Sequence, residues 1–422
     1  MLDIKFIRDN PQRVAQGAKN KGIIINIEEV LQCDQKKREK IKEIESLKAQ
    51  HNKINKQVAQ SEKNIQTALL QEAKTIKAKI EQAQEQYKKI DEQLNALLAK
   101  IPNLPFDDVP VGKDDSENRV KEFGKIKEKP VFDFAVKEHW EIGKALDIID
   151  TERAAKIAGS RFYFLKREGV LLELALINFA FEKLIKKGFI PVIPPVMIKP
   201  EMAWAMGYLQ QTDDEEAYYL PKDNLYLTAT SEQSLGAMHA DEILEEKNLP
   251  LRYVGFSTCF RREAGSYGKD TKGILRVHQF DKIEMFIFCT PEQSKQEHEF
   301  ILNTEKELMD ELSLHYQVVD ICTGDLGVPA AKKYDIEVWL PGQNRYRETH
   351  STSNCTDFQA RRLNVRYKDK KGKLHFVHTL NGTAFSMRPI IAILENYQRK
   401  DGSVQIPPIL QKWTGIQEIK RR

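Results

Sequence analysis

Cations, carboxylates and one aromatic ring are gathered in the stretch Phe260–Phe286, FRREAGSYGKDTKGILRVHQFDKIEMF. Arg261 and Glu263 stand two apart, so an extended chain puts both on one face. A guanidinium fork suits bidentate contact with a carboxylate or phosphate, and Glu263 can accept from an exocyclic amine. A loop rich in glycine and charge follows. The chain then re-enters an alternating run in which Arg276, Phe280 and Glu284 share parity. One strand face would thus carry cations for phosphate, a flat ring for a base and a carboxylate for a cationic or hydroxyl group. A nucleotide together with a small polar substrate would use all three. Arg-x-Glu by itself also fits an ordinary hairpin with surface ion pairs, which are worth little.

Three further segments carry the same kinds of groups. In LTATSEQSL, Thr230 and Glu232 share parity, and a hydroxyl beside a carboxylate can hold an ammonium; the same tripeptide also reads as a helix N-terminal cap. In YRETHSTSNCTDFQARRL, Glu348 and Ser351 could place a carboxylate and a hydroxyl on one Mg²⁺, which takes oxygen ligands and keeps several waters. By composition this segment is a polar loop. In HTLNGTAFSMRPIIAILENYQRKDG, Arg388 precedes a proline suited to a first helical turn, and Ile390–Leu394 is apolar nearly all round, the mark of a buried helix. An arginine at such a helix start is costly unless it meets an anion.

The elements that must position these groups differ along the chain. Residues 28–100 are dense in Lys, Glu, Gln, Ala, Ile and Leu and almost free of Gly and Pro. Ile76, Ile80, Ala83, Tyr87, Ile90, Leu94 and Leu97 follow alternating spacings of four and three, and Ile41, Ile44, Leu47, His51, Ile54 and Val58 do much the same. With a turn at Ser61–Asn64, the pattern predicts an antiparallel helical hairpin whose seams are about 45–50 Å long. His51 on that seam is expected as a packed or half-exposed histidine. Lys48, Lys53, Lys56, Lys63, Lys74, Lys77 and Lys79 gather toward the tip, the part an anionic partner would reach. Coiled coils also serve merely to dimerise or to space domains. The Pro- and Asp-rich stretch 104–118 reads as a linker. Beyond it, helices are expected near 137–149, 168–187, 231–246 and 291–313, and strands near 189–193, 225–228, 253–260, 275–288, 334–340 and 375–379. This mixture favours a mainly antiparallel α+β domain. The absence of GxGxxG after a strand and of GxxxxGK[ST] removes support for Rossmann and P-loop readings. At 422 residues there is room for two or three domains, and a net charge of +4 permits nucleic acid without demanding it. Five cysteines without a Cys-x-x-Cys pair argue against a disulfide framework or zinc knuckle. No apolar run is long enough to span a bilayer, and the expected location is cytoplasmic.

Taken together, these segments resemble the seryl-tRNA synthetases of class II. The Phe260–Phe286 block resembles their motif 2, Thr230 to Glu232 their serine-binding Thr-x-Glu, Glu348 to Ser351 their Glu-x-x-Ser followed by Ser-Asn-Cys, and His378–Leu410 their motif 3. Lys187–Leu209 is similar to motif 1, the dimer-forming segment ending in proline, and MLDIKFIRDNP opens the chain as in the bacterial type. One residue is missing between Thr383 and Arg388 relative to the usual motif 3. The resemblance implies a class II antiparallel sheet flanked by helices, preceded by the helical arm: residues 1–103 for tRNA binding, with the arm at about 28–100, and 119–422 for catalysis. It implies ATP-dependent activation of serine to seryl-adenylate and transfer to tRNA(Ser), with tRNA(Sec) open as a second acceptor. ATP would meet Arg261, Arg262, Glu263, Arg276, Val277, Phe280, Glu348, Thr349, His350, Ser351 and Arg388, with Arg261 and Arg388 catalytic. Serine would meet Thr230, Ser231, Glu232, Arg261, Glu284, Asn354 and Thr383. Mg²⁺ would be held by Glu348 and Ser351, no zinc is expected, and the enzyme would be a homodimer without membrane contact. Two rivals remain: a related ligase charging a non-tRNA acceptor, and a non-catalytic coiled-coil scaffold.

Overall fold

The periodic seams of the N-terminal part fold into helices that bury them. The computed structural model describes residues 1–209, 216–264, 268 and 270–421, apart from the side chains of residues 63 and 64. Residues Met1–Pro102 form one compact unit and Asn103–Arg422 a second. In the first, α1 (Ile4–Asp9) starts where the Asp3 carboxylate accepts from the Lys5 N–H, and α2 (Pro11–Asn20) starts at a proline whose missing N–H costs a helix nothing there. Two long helices follow, α3 (Ile27–Gln60) and α4 (Lys63–Ala99). At 34 and 37 residues they run about 51 and 56 Å. Ile54, Ala73, Ile76 and Ile80 meet along the seam, with Leu47, Val58 and Leu69 beside them. His51 is half-buried, and Lys48, Lys53, Lys56, Lys74, Lys77 and Lys79 are exposed. At the base, buried Asp34 receives Arg8 and Arg38, each at 3.0 Å.

The second unit is built on one sheet. Its strands are β1 (Arg119–Phe123), β2 (Ile190–Val192), β3 (Leu251–Phe260), β4 (Gln279–Cys289), β5 (Tyr316–Asp320), β6 (Lys332–Leu340), β7 (Arg345–Asn354) and β8 (His378–Phe385), in the order β1-β5-β6-β7-β8-β4-β3-β2. Every pairing is antiparallel except β2 with β3. Helices α5 (His139–Ala145), α6 (Glu168–Lys186), α7 (Ser231–Ala237), α8 (Ser294–Glu311) and α9 (Arg388–Asn396) surround it. Helix α8 covers β4, β7 and β8 on one face, burying Ile301, Leu302, Leu308 and Met309. Ile390–Leu394 in α9 are buried on all sides, as their uniform apolarity requires. All five cysteines are buried and none is in a disulfide, and among the described residues no helix is long and apolar enough to cross a membrane.

Several elements depart from the pattern read in the sequence. The segment composed like a polar loop, 346–363, holds β7 in the middle of the sheet and a helix at Phe358–Leu363. Its polar side chains are tolerated because they pair internally: Thr352 donates to the Asn381 carbonyl at 2.9 Å, and Asn354 bonds Ser294 Oγ at 2.9 Å. The expected helix 231–246 stops at Ala237; Asp241 adopts a left-handed φ of 62°, and Ile243–Glu245 then pairs with Arg366–Lys368. Helix 137–149 is confined to His139–Ala145, with Asp147 left-handed beyond it. The strand expected from 275 begins at Gln279, since the His278 N–H is taken by the Arg161 carbonyl outside the sheet. Glu263 is left-handed at φ 53°, so Arg261–Glu263 is not extended. Strands β1 and β5 were not anticipated, and the expected 375–379 strand is two, Leu374–Phe376 and β8. The glycine-rich loop after Glu263 is described only in part, as residues 265–267 and 269 lie outside the described residues.

Candidate active site

The sheet face turned away from α8 floors an open cleft of about 570 Å³. Two irregularities in the ladders decide which side chains reach it. Regular pairing alternates faces, so Glu348 and Ser351, three apart, would point in opposite directions. A bulge in β7 sets Glu348 opposite Glu337 and His350 opposite Ile336, leaving Thr349 as the extra residue. Glu348 and Ser351 consequently both line the cleft. In β8, Ala384 is the extra residue, and Glu284 faces Thr383 directly across the β4–β8 ladder. Gly382, between the cleft residues Asn381 and Thr383, turns to the opposite face, where an added Cβ would overlap Ile301 and Glu305 of α8.

At one end of the cleft lie carboxylates. Thr230 caps α7, accepting from the Glu232 N–H at 3.3 Å. Glu232 is buried, and its oxygens accept from Gln359 Nε2 at 3.0 Å, Asn381 Nδ2 at 3.1 Å and Tyr208 OH at 3.0 Å. Burial, then the nearby charge of Glu284, raises its pKa to about 7. Burial also raises that of Glu284. Lys282 Nζ sits 2.7 Å from Glu284 Oε2 and 3.1 Å from Thr230 Oγ1. At the other end lie cations. The Arg261 guanidinium is 5.1 Å from the Phe280 ring centre, and its Nε donates to the Ala229 carbonyl at 3.3 Å. Arg276 donates to Glu263 Oε2 at 3.3 Å and Asp270 Oδ2 at 3.0 Å, which holds it at the rim although it precedes β4. Arg388, the first residue of α9, lies 3.2 Å from Glu348 Oε2 and 2.7 Å from the Glu348 carbonyl. Burial pushes the Glu348 carboxyl up, but Arg388 and Lys333 outweigh it and hold it below the usual range. The shortened link after β8 is bridged by Ser386 and Met387, which line the cleft with Arg388.

The geometry has counterparts among known proteins. Residues 1–105 match the seryl-tRNA synthetase N-terminal domain family, and residues 217–397 the class II tRNA synthetase core domain of the G, H, P, S and T enzymes. A serine–tRNA ligase of Thermobifida fusca is 45% identical over 416 residues, 98% of each chain. The structure of a seryl-tRNA synthetase from Pyrococcus horikoshii complexed with ATP superposes with a TM-score of 0.94 at 44% identity, covering 100% of both chains. A cytoplasmic serine–tRNA ligase from Naegleria fowleri in complex with AMP gives 0.87 at 33% identity, covering 100% of this chain and 99% of its own. The chain belongs to the seryl-tRNA synthetase family. Enzymes of this family are ATP-dependent class II ligases that join serine to tRNA, and this chain is one of them.

Within that family frame, the structure brings Thr230, Glu232, Arg261, Glu263, Arg276, Val277, Phe280, Glu284, Glu348, Thr349, Ser351, Thr383 and Arg388 to one cleft. Four expected residues do not line it. Ser231 is buried against Ser257, Oγ to Oγ at 2.8 Å. Asn354 is buried on the α8 side. His350 is buried against Phe385, and burial lowers its pKa to about 4. Arg262 lies over the Tyr218 ring at 5.5 Å. Conversely, Lys282 and Asn381 line the cleft without having been singled out. Each stands two residues before an expected residue on the same strand, so parity alone could have found them. Tyr208 and Gln359 reach Glu232 from distant segments and carry no such sequence signal. The described residues include no group of three His, Cys, Asp or Glu side chains suited to a metal. Glu348 and Ser351 together supply an ionised carboxylate and a hydroxyl on one face, which fits magnesium's preference for few protein oxygens and retained water.

Proposed function

We propose that this cleft runs the family's reaction in two steps. In the first, a serine carboxylate oxygen attacks the α-phosphorus of ATP, and pyrophosphate leaves with the electrons of the broken P–O bond. In the second, a ribose hydroxyl at the 3′ end of tRNA attacks the acyl carbon and AMP leaves. Arg261 holds the α-phosphate, Phe280 stacks the adenine, Glu263 and the Val277 main chain meet its edge, and Arg276 and Arg388 face the outer phosphates. Thr230 and Glu232 take the serine ammonium, and Glu284 and Thr383 its hydroxyl. No side chain acts as a covalent nucleophile; the chain works by alignment and preorganised charge. Magnesium, held by Glu348 and Ser351, would neutralise phosphate charge.

The observation that carries this reading is the pairing, in one cleft, of a guanidinium over an aromatic ring with the facing Glu284 and Thr383. The unit spanning residues 1–103 is the tRNA-binding domain in this reading, reaching the nucleic acid through the exposed lysines of its arm, and residues 119–422 form the catalytic domain. Its intact arm favours tRNA over a small or carrier-protein acceptor. Leu171, Leu174 and Ile185 of α6, Ile190 of β2 and Ile193 just after it are exposed and would be covered by a second copy. A cytoplasmic location fits the substrates. Serine-dependent ATP–pyrophosphate exchange tests the reading, and Arg261→Ala should lower it about 10²–10³-fold with the fold retained. Exchange driven equally by other amino acids, or an unimpaired Arg261→Ala, would remove it.

A further inference from the structure

Ile274, Leu275, Arg276 and Val277 line the cleft just before β4, and the first of them is held by a histidine from elsewhere in the chain. The Ile274 N–H donates to His139 Nε2 at 3.1 Å. His139 opens α5 with a side chain only 1% exposed. Its Nδ1 lies 3.2 Å from Glu395 Oε1, and its backbone N–H donates to the same oxygen at 3.0 Å. Glu395, in the last turn of α9, is fully buried, and its second oxygen receives the Gly342 N–H at 3.0 Å. These partners assign one neutral tautomer, with Nδ1–H donating to the carboxylate and Nε2 accepting from Ile274. Gly273 presses on the same ring: its φ is +75°, and an added Cβ would overlap His139 Nε2.

We propose that His139 is a positioning residue for nucleotide binding, fixing the Ile274 backbone to buried Glu395 and so setting Arg276 and Val277 at the cleft rim. The proposal rests on the reading that Arg276 and Val277 contact ATP. His139 bridges three parts of the site that are distant in sequence: the limb returning from the glycine-rich loop, the α9 helix that carries Arg388, and the turn between β6 and β7. The ordinary alternative is a histidine that merely fills the core.

Two substitutions separate the two ideas, because each keeps one half of the bridge. His139→Asn retains an amide donor where Nδ1–H meets Glu395 but is too short to reach Ile274. His139→Gln carries a carbonyl to the position of Nε2 and can still accept from Ile274. ATP affinity is measured by titration calorimetry with Mg–ATP in the absence of serine, and serine KM by pyrophosphate exchange. His139→Asn, and Gly273→Ala from the other side of the same contact, should weaken ATP about tenfold, the size expected for one buried hydrogen bond. Serine KM should stay within about twofold and His139→Gln within about threefold of the wild type for ATP. Equal losses in the Asn and Gln variants, or wild-type ATP affinity in His139→Asn, would overturn the proposal. Failure of the wild-type protein to bind ATP would instead strike the nucleotide reading of the cleft.

Discussion

Glu232 and Glu284 are both buried at one end of the cleft; burial raises the pKa of each, and the charge of Glu284 makes Glu232 harder still to ionise. Lys282, bridging Glu284 and Thr230, offsets part of that repulsion. With a pKa of about 7, Glu232 gains a proton as the pH falls below neutrality and then loses its attraction for an ammonium. Serine KM should therefore rise below about pH 7, by up to tenfold per unit, and level off above about pH 8, while the KM for ATP moves less. Exchange kinetics across that range check this; a flat serine KM would take Glu232 out of contact with the ammonium. Thr383, facing Glu284 across the ladder, supports a second prediction. A pocket built for a hydroxyl leaves polar groups unpaired when alanine binds, so serine should be strongly preferred without an editing site. Thr383→Ala should raise serine KM about tenfold and leave alanine KM nearly unchanged. An unaltered preference would remove Thr383 from the hydroxyl's surroundings.

The helical arm was legible because its apolar residues repeat. Ile76, Ile80 and Ala83 lie on a seam, and a seam of that length has few other uses. Phe280 and Glu284 were legible for the same reason, being evenly spaced on a true strand. The central strand β7 was not, because its polar residues satisfy one another across the sheet and between faces, an arrangement composition does not reveal. Nor could spacing show the bulge at Thr349, which brings Glu348 and Ser351 to one face and leaves Asn354 on the face opposite Glu348. Equal parity puts Arg276 on the strand face; in the structure it reaches the cleft from a loop, held by Glu263 and Asp270. The arm also admits a clean excision. Lys37–Asp91 at 2.5 Å and Lys40–Gln86 at 2.8 Å show which residues of α3 and α4 face each other. Removing Ile44–Ala83 and closing the gap with a short turn keeps these and the Arg8–Asp34–Arg38 cluster. Serine activation should survive while tRNA charging falls at least about 10²-fold, and full-length binding to tRNA should weaken steeply with salt. A truncated protein that charges tRNA at the full rate would refute the arm's role.

At the scale of the whole molecule, the apolar surface of α6 and β2 sets an expectation for assembly. Leu174 is 50% and Ile193 84% exposed, more than an isolated chain gains from. Sedimentation should show a dimer at micromolar concentration, and Leu174→Glu should shift it to monomer with loss of exchange activity, whereas a monomeric wild type would assign that face elsewhere. A different consequence follows from Gly382. One layer of backbone separates the pocket occupied by Asn381 and Thr383 from the Ile301 and Glu305 side chains beneath. The pocket floor is therefore a membrane-thin partition that core residues can push from below. A bulkier residue at 301 would lift it by tenths of an ångström and a smaller one would let it sag, changing how deep an amino acid can settle. Mutational drift in a helix that touches no substrate would then surface as altered amino-acid choice, and a search for new specificities restricted to cleft-lining positions would overlook it.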